Sequence, residues 1–497
     1  MRKKAFIIGA GFSSIATACY LAKAGYDVEI FEKNNHLGGR AGKLVLDGYT
    51  FDTGPTFYWM PDVFERFFKD FNKNPAEYYT LERLDPGYKV YFGEGDSVDV
   101  SANVDQIYEL FESEDKGSGK RLKSFLDKAA YNYEVAIKDL VYRPGLSPLE
   151  LITPQTVTKL GQFISTIAAG ARTVSKNPRL ISLLEFPVLF LGAKPSNTPL
   201  FYNFMNHADL ILGTWYPKGG MYAVVEGLVK LAKELGVVMH TKQAVEKILI
   251  TDDKAIGLQI EGKPYFADVI ISGADYSHSE TLLPESLRSY SEKYWNSKTF
   301  APSALLFYLG IDKKLKNIAH HTLFFDVDFA EHASAIYDQP EWPDQPLFYA
   351  SFQSLTDASV SPEGHEAAIF LIPLAPGLTD SDELREKCYD KVIARFEKLT
   401  GQEIRNNIVQ KSLFGINDFV STYNSFKGNA YGLANTLMQT AFLRPKLKSK
   451  KVENLYFTGQ LTVPGPGVPP ALISGKLVSE LIIAKTKTNE ALKTSTI

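Results

Sequence analysis

Gly9, Gly11, Ser14 and Glu32 are the first residues whose types and spacing imply chemistry. The glycines follow a short apolar run, Lys4 to Ile8, and precede a helical run, Ile15 to Ala24, closed by Gly25. A second strand-like run, Asp27 to Phe31, ends at Glu32. Strand, glycine turn, helix, strand and acid in this order form a dinucleotide-binding βαβ unit. Gly9 permits the tight turn out of the strand. Gly11 has no Cβ, so a pyrophosphate can reach the backbone and rest on a helix N-terminus, where free N–H groups and the helix dipole favour anions. Glu32 is placed to accept hydrogen bonds from an adenosine ribose. Ser14 stands where the pattern has its third glycine and is small enough for close helix–strand packing.

Three further turns extend the pattern. Lys33 follows the acid, and Gly38, Gly39 and Arg40 form a turn that can press against a ligand. Arg40 brings a fixed charge and a fork of donors suited to phosphate. Phe51-Asp52-Thr53-Gly54-Pro55-Thr56 makes another glycine-proline turn. Near the other end a strand, Asn454 to Thr458, ends at Gly459 and Gln460, and Pro464-Gly465-Pro466-Gly467-Val468-Pro469 leads into a helix expected from Pro470. Such a turn brings backbone close to whatever it faces, and the helix that follows directs partial positive charge at its own N-terminal end. No Ser/His/Asp or Cys/His arrangement is evident. His320 and His321 are adjacent, without ligand spacing or a third ligand, so no metal site is expected.

The elements between these turns must position them. At 497 residues the chain can bury a large core and divide into domains. Its net charge of −3 does not favour nucleic acid as a partner. Two cysteines, Cys19 and Cys388, offer no disulfide framework, and the N-terminus enters a strand at once, so a cytoplasmic location is expected. No apolar run is long enough to span a membrane. Pro61 opens a helix whose Val63, Phe64, Phe67, Phe68 and Phe71 form one apolar face, as in a core helix. Strand-like pieces (Lys89 to Phe92, Ser97 to Val100) and a helical stretch from Lys120 to Val141 begin an inserted domain. Residues 151–184 contain no acid but carry Lys159, Arg172, Lys176 and Arg179. There Val157, Leu160, Phe163, Ile164, Ile167, Ala168 and Ala171 mark one helical face. A helix packed on the domain and one lying on an anionic bilayer fit this pattern equally. Trp215 to Met221 turns into a helix, Tyr222 to Leu235, followed by strands at Val237 to His240, Ala244 to Ile248 and Ala267 to Ser272.

The glycine turn at Gly9, the Gly39-Arg40 turn, the Asp52-Thr53-Gly54-Pro55 turn and the Trp215 to Met221 turn resemble the amine oxidase and carotenoid desaturase superfamily. Gly428 to Gly432, Arg444-Pro445 and Gly459 to Pro469 resemble, more narrowly, the C-terminal signature of bacterial and fungal phytoene desaturases. The resemblance covers nearly the whole chain. It implies an α/β fold: a Rossmann-type FAD-binding domain with an inserted α+β substrate domain carrying a helical, membrane-facing part. The FAD-binding domain is expected from residues 1–85, 215–295 and 420–497, and the substrate domain from 86–214 and 296–419, with 151–208 touching the membrane. The resemblance makes FAD the cofactor, held by Gly9, Gly11, Ser14, Glu32, Lys33, Gly39, Arg40, Gly54, Pro55, Thr56, Val245, Gly459, Gln460, Gly467, Val468 and Pro469. Val245 would pair with adenine through its backbone; Gln460 replaces the family's usual small residue.

The activity implied is successive desaturation of 15-cis-phytoene to lycopene or related all-trans carotenes, by hydride transfer to flavin and proton loss. The partners are then a long apolar polyene, a membrane surface bound peripherally, and oxygen or a quinone as electron acceptor. Glu150 is the one candidate base: it lies roughly where some relatives carry an acid, although they place an arginine three residues on, where this chain has Thr153. The same motifs also serve a 1'-hydroxycarotenoid 3,4-desaturase, a carotenoid isomerase, an amine oxidase, and a non-enzymatic prenyl-binding escort protein of this fold.

Overall fold

A computed structural model describes residues 2–151 and 165–494. The opening strand, Lys4–Ile8, is the middle of a five-stranded sheet with Asp27–Phe31 and Val238–His240 on one side and Val269–Ser272 and Leu455–Phe457 on the other. All its pairings are parallel. Alternate residues of a strand face opposite sides. Ala5, Ile7, Val28, Ile30 and Ile271 therefore meet the helices Phe12–Lys23, Met221–Glu234 and Val468–Thr494. Phe6, Ile8, Phe31, Ile270 and Phe457 meet Ile248, Leu258 and Ile260 of a three-stranded antiparallel sheet. Cys19 is a small buried residue of the first helix, and burial pushes its thiol up. The first and last helices touch at Gly475, where a Cβ would stand 2.6 Å from the Ser13 carbonyl oxygen.

The chain leaves this half through Leu81–Arg83 and returns through Trp215–Pro217, and these two short strands pair antiparallel. A second sheet of seven strands runs in the order Ile408–Phe414, Ser303–Ile311, Glu366–Leu374, Phe348–Phe352, His321–Phe324, Tyr88–Gly93, Asp96–Val100. Its pairings are antiparallel except that of Tyr88–Gly93 with His321–Phe324. One face packs Phe307 and Phe370 on Val392, Ile393 and Phe396 of the helix Asp382–Thr400. From the other face Leu323, Tyr349 and Leu371 look into a cavity of about 1100 Å³ that reaches back to the opening glycine turn.

Short helices close the cavity. Ile167–Val174 buries Ile167, Gly170, Ala171 and Val174. Of the rest of the expected amphipathic face, Ala168 is half-buried, and Val157, Leu160, Phe163 and Ile164 lie outside the described residues. Two of the basic side chains beyond them, Arg172 and Arg179, are answered by acids on neighbouring elements. Arg172 pairs with Glu185 at 2.8 Å, and Arg179 pairs with Asp96 at 3.0 Å and Glu114 at 3.6 Å. The apolar segment from Phe186 to Leu189 turns inward, with Phe186 and Val188 buried and Phe186 and Leu189 lining the cavity.

Candidate active site

The first turn has the shape its glycines imply. Gly9 adopts φ +84°, and its N–H bonds to the Phe31 carbonyl at 2.8 Å. Gly11 caps the helix Phe12–Lys23 without a side chain, so the first-turn N–H groups keep no side-chain partner there. A Cβ on Gly11 would meet nothing within 4 Å, which leaves the helix end open to the cavity. Gly39 lies beside it, where a Cβ would stand 3.2 Å from the Gly11 Cα. The Glu32 carboxylate accepts the N–H groups of Ala10 and Asn34, each at 2.8 Å. Those bonds fix the carboxylate at the sheet edge and leave each oxygen a further lone pair. Ser14 is wholly buried over Gly273, the residue whose missing Cβ makes room for its hydroxyl.

Arg40 lines the cavity beside this helix end. Its guanidinium lies 5.3 Å from the Tyr423 ring, and its buried Nε has no partner. Burial makes the charged form costly and lowers its pKa. The Gln460 amide, turned with its oxygen inward, accepts from Arg40 at 3.2 Å and from the Gly432 N–H at 3.3 Å. Lys33 reaches the other way, to the Ser421 carbonyl at 2.8 Å and Asn424 at 3.0 Å. Gly54 passes under Arg40, where any Cβ would collide with the Arg40 carbonyl. Pro55 and Val245 line the same cavity. Thr56 lines it too, and its hydroxyl is engaged by Tyr349 at 2.8 Å.

The distant turn closes the other end. Gly459 and Gly467 adopt φ +106° and +113°, and both line the cavity with Val468 and Pro469. The last helix begins at Val468, two residues before the expected Pro470. Two prolines fit its first turn because N–H groups there are unpaired in any case. Ser474 accepts the Gly459 N–H at 2.9 Å and lies 3.0 Å from the Thr462 hydroxyl. Arg444 spends its whole fork on this turn. It donates to the carbonyls of Thr462, Gln439, Leu433 and Gln460 and to the Asn435 side chain, at 2.7–3.3 Å. Sequence reasoning noted Arg444 only as part of a signature, because the carbonyls it reaches come from turns that no local pattern joins.

Glu150 does reach the cavity. Its carboxylate accepts the N–H groups of Gly145 and Leu146 at 2.8 Å and Ser147 at 3.3 Å. That makes Glu150 the clasp of a loop that lines the cavity. Thr153 lies outside the described residues. The rest of the wall is largely apolar and aromatic: Phe57, Trp59, Phe186, Phe201, Phe204 and Phe325.

The flavin containing amine oxidoreductase family matches residues 13–483. A carotenoid 3,4-desaturase of Haloarcula japonica is 42% identical over 481 residues, 96% of this chain and 97% of its own. A zeta-carotene-forming phytoene desaturase of Myxococcus xanthus is 31% identical over 488 residues, 97% of this chain and 94% of its own. The chain belongs to the carotenoid desaturases of this flavin family. Among solved structures, an oxidoreductase from Methanosarcina mazei shares the fold, with a TM-score of 0.62 at 17% identity, covering 96% of this chain and 100% of its own.

The desaturase takes FAD, and its residues fit that group. The orphaned Arg40 Nε and the uncapped helix end beside Gly11 suit a diphosphate, and Glu32 suits a ribose. Gly459 to Pro469 and the start of the last helix would hold the ring. When bound, FAD supplies the hydride acceptor. The protein's part is to align a polyene against that ring and keep water out, which an aromatic wall does well.

Proposed function

We propose that this desaturase acts on 15-cis-phytoene and introduces double bonds in successive steps, giving lycopene or a related all-trans carotene. The observation that carries this reading is how the cavity wall disposes of its charge. Arg143 pairs with Asp139 and donates to the Glu150 carbonyl, Glu150 clasps its loop, Lys194 pairs with Asp338, and His332 uses both ring nitrogens on Pro373 and Leu347. A hydrocarbon asks for such a wall, because each buried CH₂ contributes about 0.8 kcal/mol and no polar handle is needed.

The substrate enters from a membrane in this reading, and an apolar rim supports that. Leu149 and Met438 are 70% and 71% exposed, and Leu146 and Leu443 stand exposed on the same two loops. Lys446 ties those loops together by donating to the carbonyls of Gly145 and Phe442. The desaturase then works on the cytoplasmic face of a membrane, peripherally bound, with oxygen or a quinone taking the electrons.

A second reading, 3,4-desaturation of a 1'-hydroxylated carotenoid, is favoured by the 42% identical relative. One assay separates the two. The protein is incubated with FAD, an acceptor, and liposomes carrying either phytoene or the hydroxylated carotenoid, and products are resolved by chromatography. Coloured polyenes from phytoene support the first reading; turnover of the hydroxylated substrate alone replaces it with the second.

A further inference from the structure

A row of polar side chains runs from the cavity wall toward solvent. Thr56 and Tyr349 form part of the wall itself. Their hydroxyls are 2.8 Å apart, and the Tyr349 hydroxyl is 2.6 Å from His321 Nδ1. His321 is fully buried and stacks on Phe57, with ring centroids 3.9 Å apart. His320 precedes the strand, and its ring meets that of His321 edge to face, centroids 4.5 Å apart. On its far side His320 Nδ1 is 2.7 Å from the Thr356 hydroxyl, and Thr356 is half-buried at the surface.

Two nitrogens in this row have no partner: Nε2 of His321 and Nε2 of His320, both buried. Each such orphan costs about 1–3 kcal/mol, and here two sit on touching rings. Burial keeps both imidazoles neutral, drawing His320 down to about 3 and His321 well below the usual histidine range. A neutral imidazole donates through one nitrogen and accepts at the other. If Tyr349 donates to His321 Nδ1, the His321 proton is on Nε2. If His320 donates to Thr356 through Nδ1, its Nε2 is bare. The two orphans are then one donor and one acceptor.

We propose that Thr56, Tyr349, His321, His320 and Thr356 form a proton exit from the cavity to solvent. It rests on the desaturation chemistry and serves either substrate above. As a hydride leaves one carbon for the oxidised flavin, the C–H bond on the neighbouring carbon breaks and its electron pair becomes the second bond of the new alkene. That proton goes to Thr56 Oγ1, while Thr56 passes its own to Tyr349 and Tyr349 passes its own to His321 Nδ1. The two Nε2 atoms make no hydrogen bond to each other, so the His321 Nε2 proton crosses to His320 Nε2 as a rotation of these touching rings brings them within reach, and the His320 Nδ1 proton leaves past Thr356. Each group gives one proton as it takes one, so none finishes charged. Both rings finish in the opposite tautomer, and exchange with solvent protons between turnovers restores the starting one.

Two measurements test this. Imidazole ¹⁵N NMR on the histidine-labelled protein without substrate should show the proton on Nε2 of His321 and on Nδ1 of His320; the other tautomer at either ring overturns the relay. Anaerobic single-turnover bleaching of the flavin, with whichever polyene the wild type converts, should slow about a hundredfold in Tyr349→Phe and His321→Gln. FAD content and KM should hold, and the wild-type solvent deuterium effect should disappear. Bleaching within twofold of wild type in Tyr349→Phe, which removes one oxygen, overturns the proposal even if His321→Gln fails to fold. A wild type that no polyene bleaches is a failure of the desaturation reading, and the tautomers still decide the relay.

Discussion

The Asp52 carboxylate accepts the backbone N–H of Met221 at 2.8 Å, joining residues 169 apart in the chain. It also takes the Tyr222 N–H at 3.1 Å, so a side chain from the Asp-Thr-Gly-Pro turn caps the helix Met221–Glu234. The helix has Gly220 at its own cap position, which can supply no oxygen. Two motifs that stand apart in the sequence are thus halves of one joint, close under the cavity. The joint predicts its own failure modes. A Cβ on Gly220 would lie 2.7 Å from both carboxylate oxygens, at φ +84°. Gly220→Ala should cost about 2–4 kcal/mol, and Asp52→Ala about 1–3 kcal/mol from stranded N–H groups. The double variant should lose less than the sum, because removing the carboxylate removes the clash. Thermal unfolding of the four proteins reads this directly.

Ser14 and Gly273 form a second coupled pair. An alanine Cβ at position 273 would fall 2.0 Å from the Ser14 hydroxyl oxygen. Gly273→Ala alone should be severely destabilising and lose FAD. Ser14→Gly should cost about 1 kcal/mol or less, since helix glycine loses what relief of an unpaired hydroxyl regains. Adding Ser14→Gly should restore most of the stability lost to Gly273→Ala. An additive double-mutant cycle would show that the hydroxyl is not the obstacle.

Arg40 should show opposite effects on protein and cofactor. Its guanidinium is buried with one nitrogen unpaired, so Arg40→Met should leave the FAD-free protein as stable or more so. The same change should weaken FAD binding at least about tenfold, by removing a phosphate fork. Arg40→Lys should recover only part of it. Fluorescence titration with FAD, beside unfolding of the apoprotein, measures both.

Asp209 gives stability a pH dependence. It is buried, receives the Tyr88 hydroxyl at 2.9 Å, and is pushed by burial from 3.8 up to about 7. The unfolded chain loses this proton near pH 4 and the folded protein only near 7. Between those values the folded state binds more protons, so stability falls as pH rises from about 4 to about 7. Asp209→Asn removes this decline, worth on the order of 2–4 kcal/mol. The stability difference between pH 5 and pH 8 should shrink in the variant. An unchanged difference would mean that Asp209 is not its source.

The shape of the first turn was legible because its information is local: Gly9, Gly11 and Glu32 act through the turn and strands they belong to. Glycines elsewhere were equally plain, since Gly39, Gly459 and Gly467 take backbone angles other residues avoid. Partners brought in from afar were not. Thr56 belongs to the glycine-proline turn, and its Tyr349 partner comes from a strand 293 residues on. The three N–H groups that fold back on Glu150 are equally invisible in the sequence. The acids that answer Arg172 and Arg179 lie on other elements, out of reach of any local pattern. His320 and His321 could be weighed only as metal ligands, since Tyr349 and Thr356 reach them through pairings that local patterns do not reveal.

The joint between the first and last helices at Gly475 also has a meaning in time. Ser13 and Gly475 cannot touch until nearly the whole chain has left the ribosome, and the edge strand Leu455–Phe457 joins the sheet equally late. The cofactor cradle is therefore finished last, after its first half has waited through synthesis of both sheets. Contacts of such sequence separation form slowly. Uptake of FAD then becomes a checkpoint on completed synthesis: a chain halted before residue 455 should remain colourless however well its earlier parts have folded.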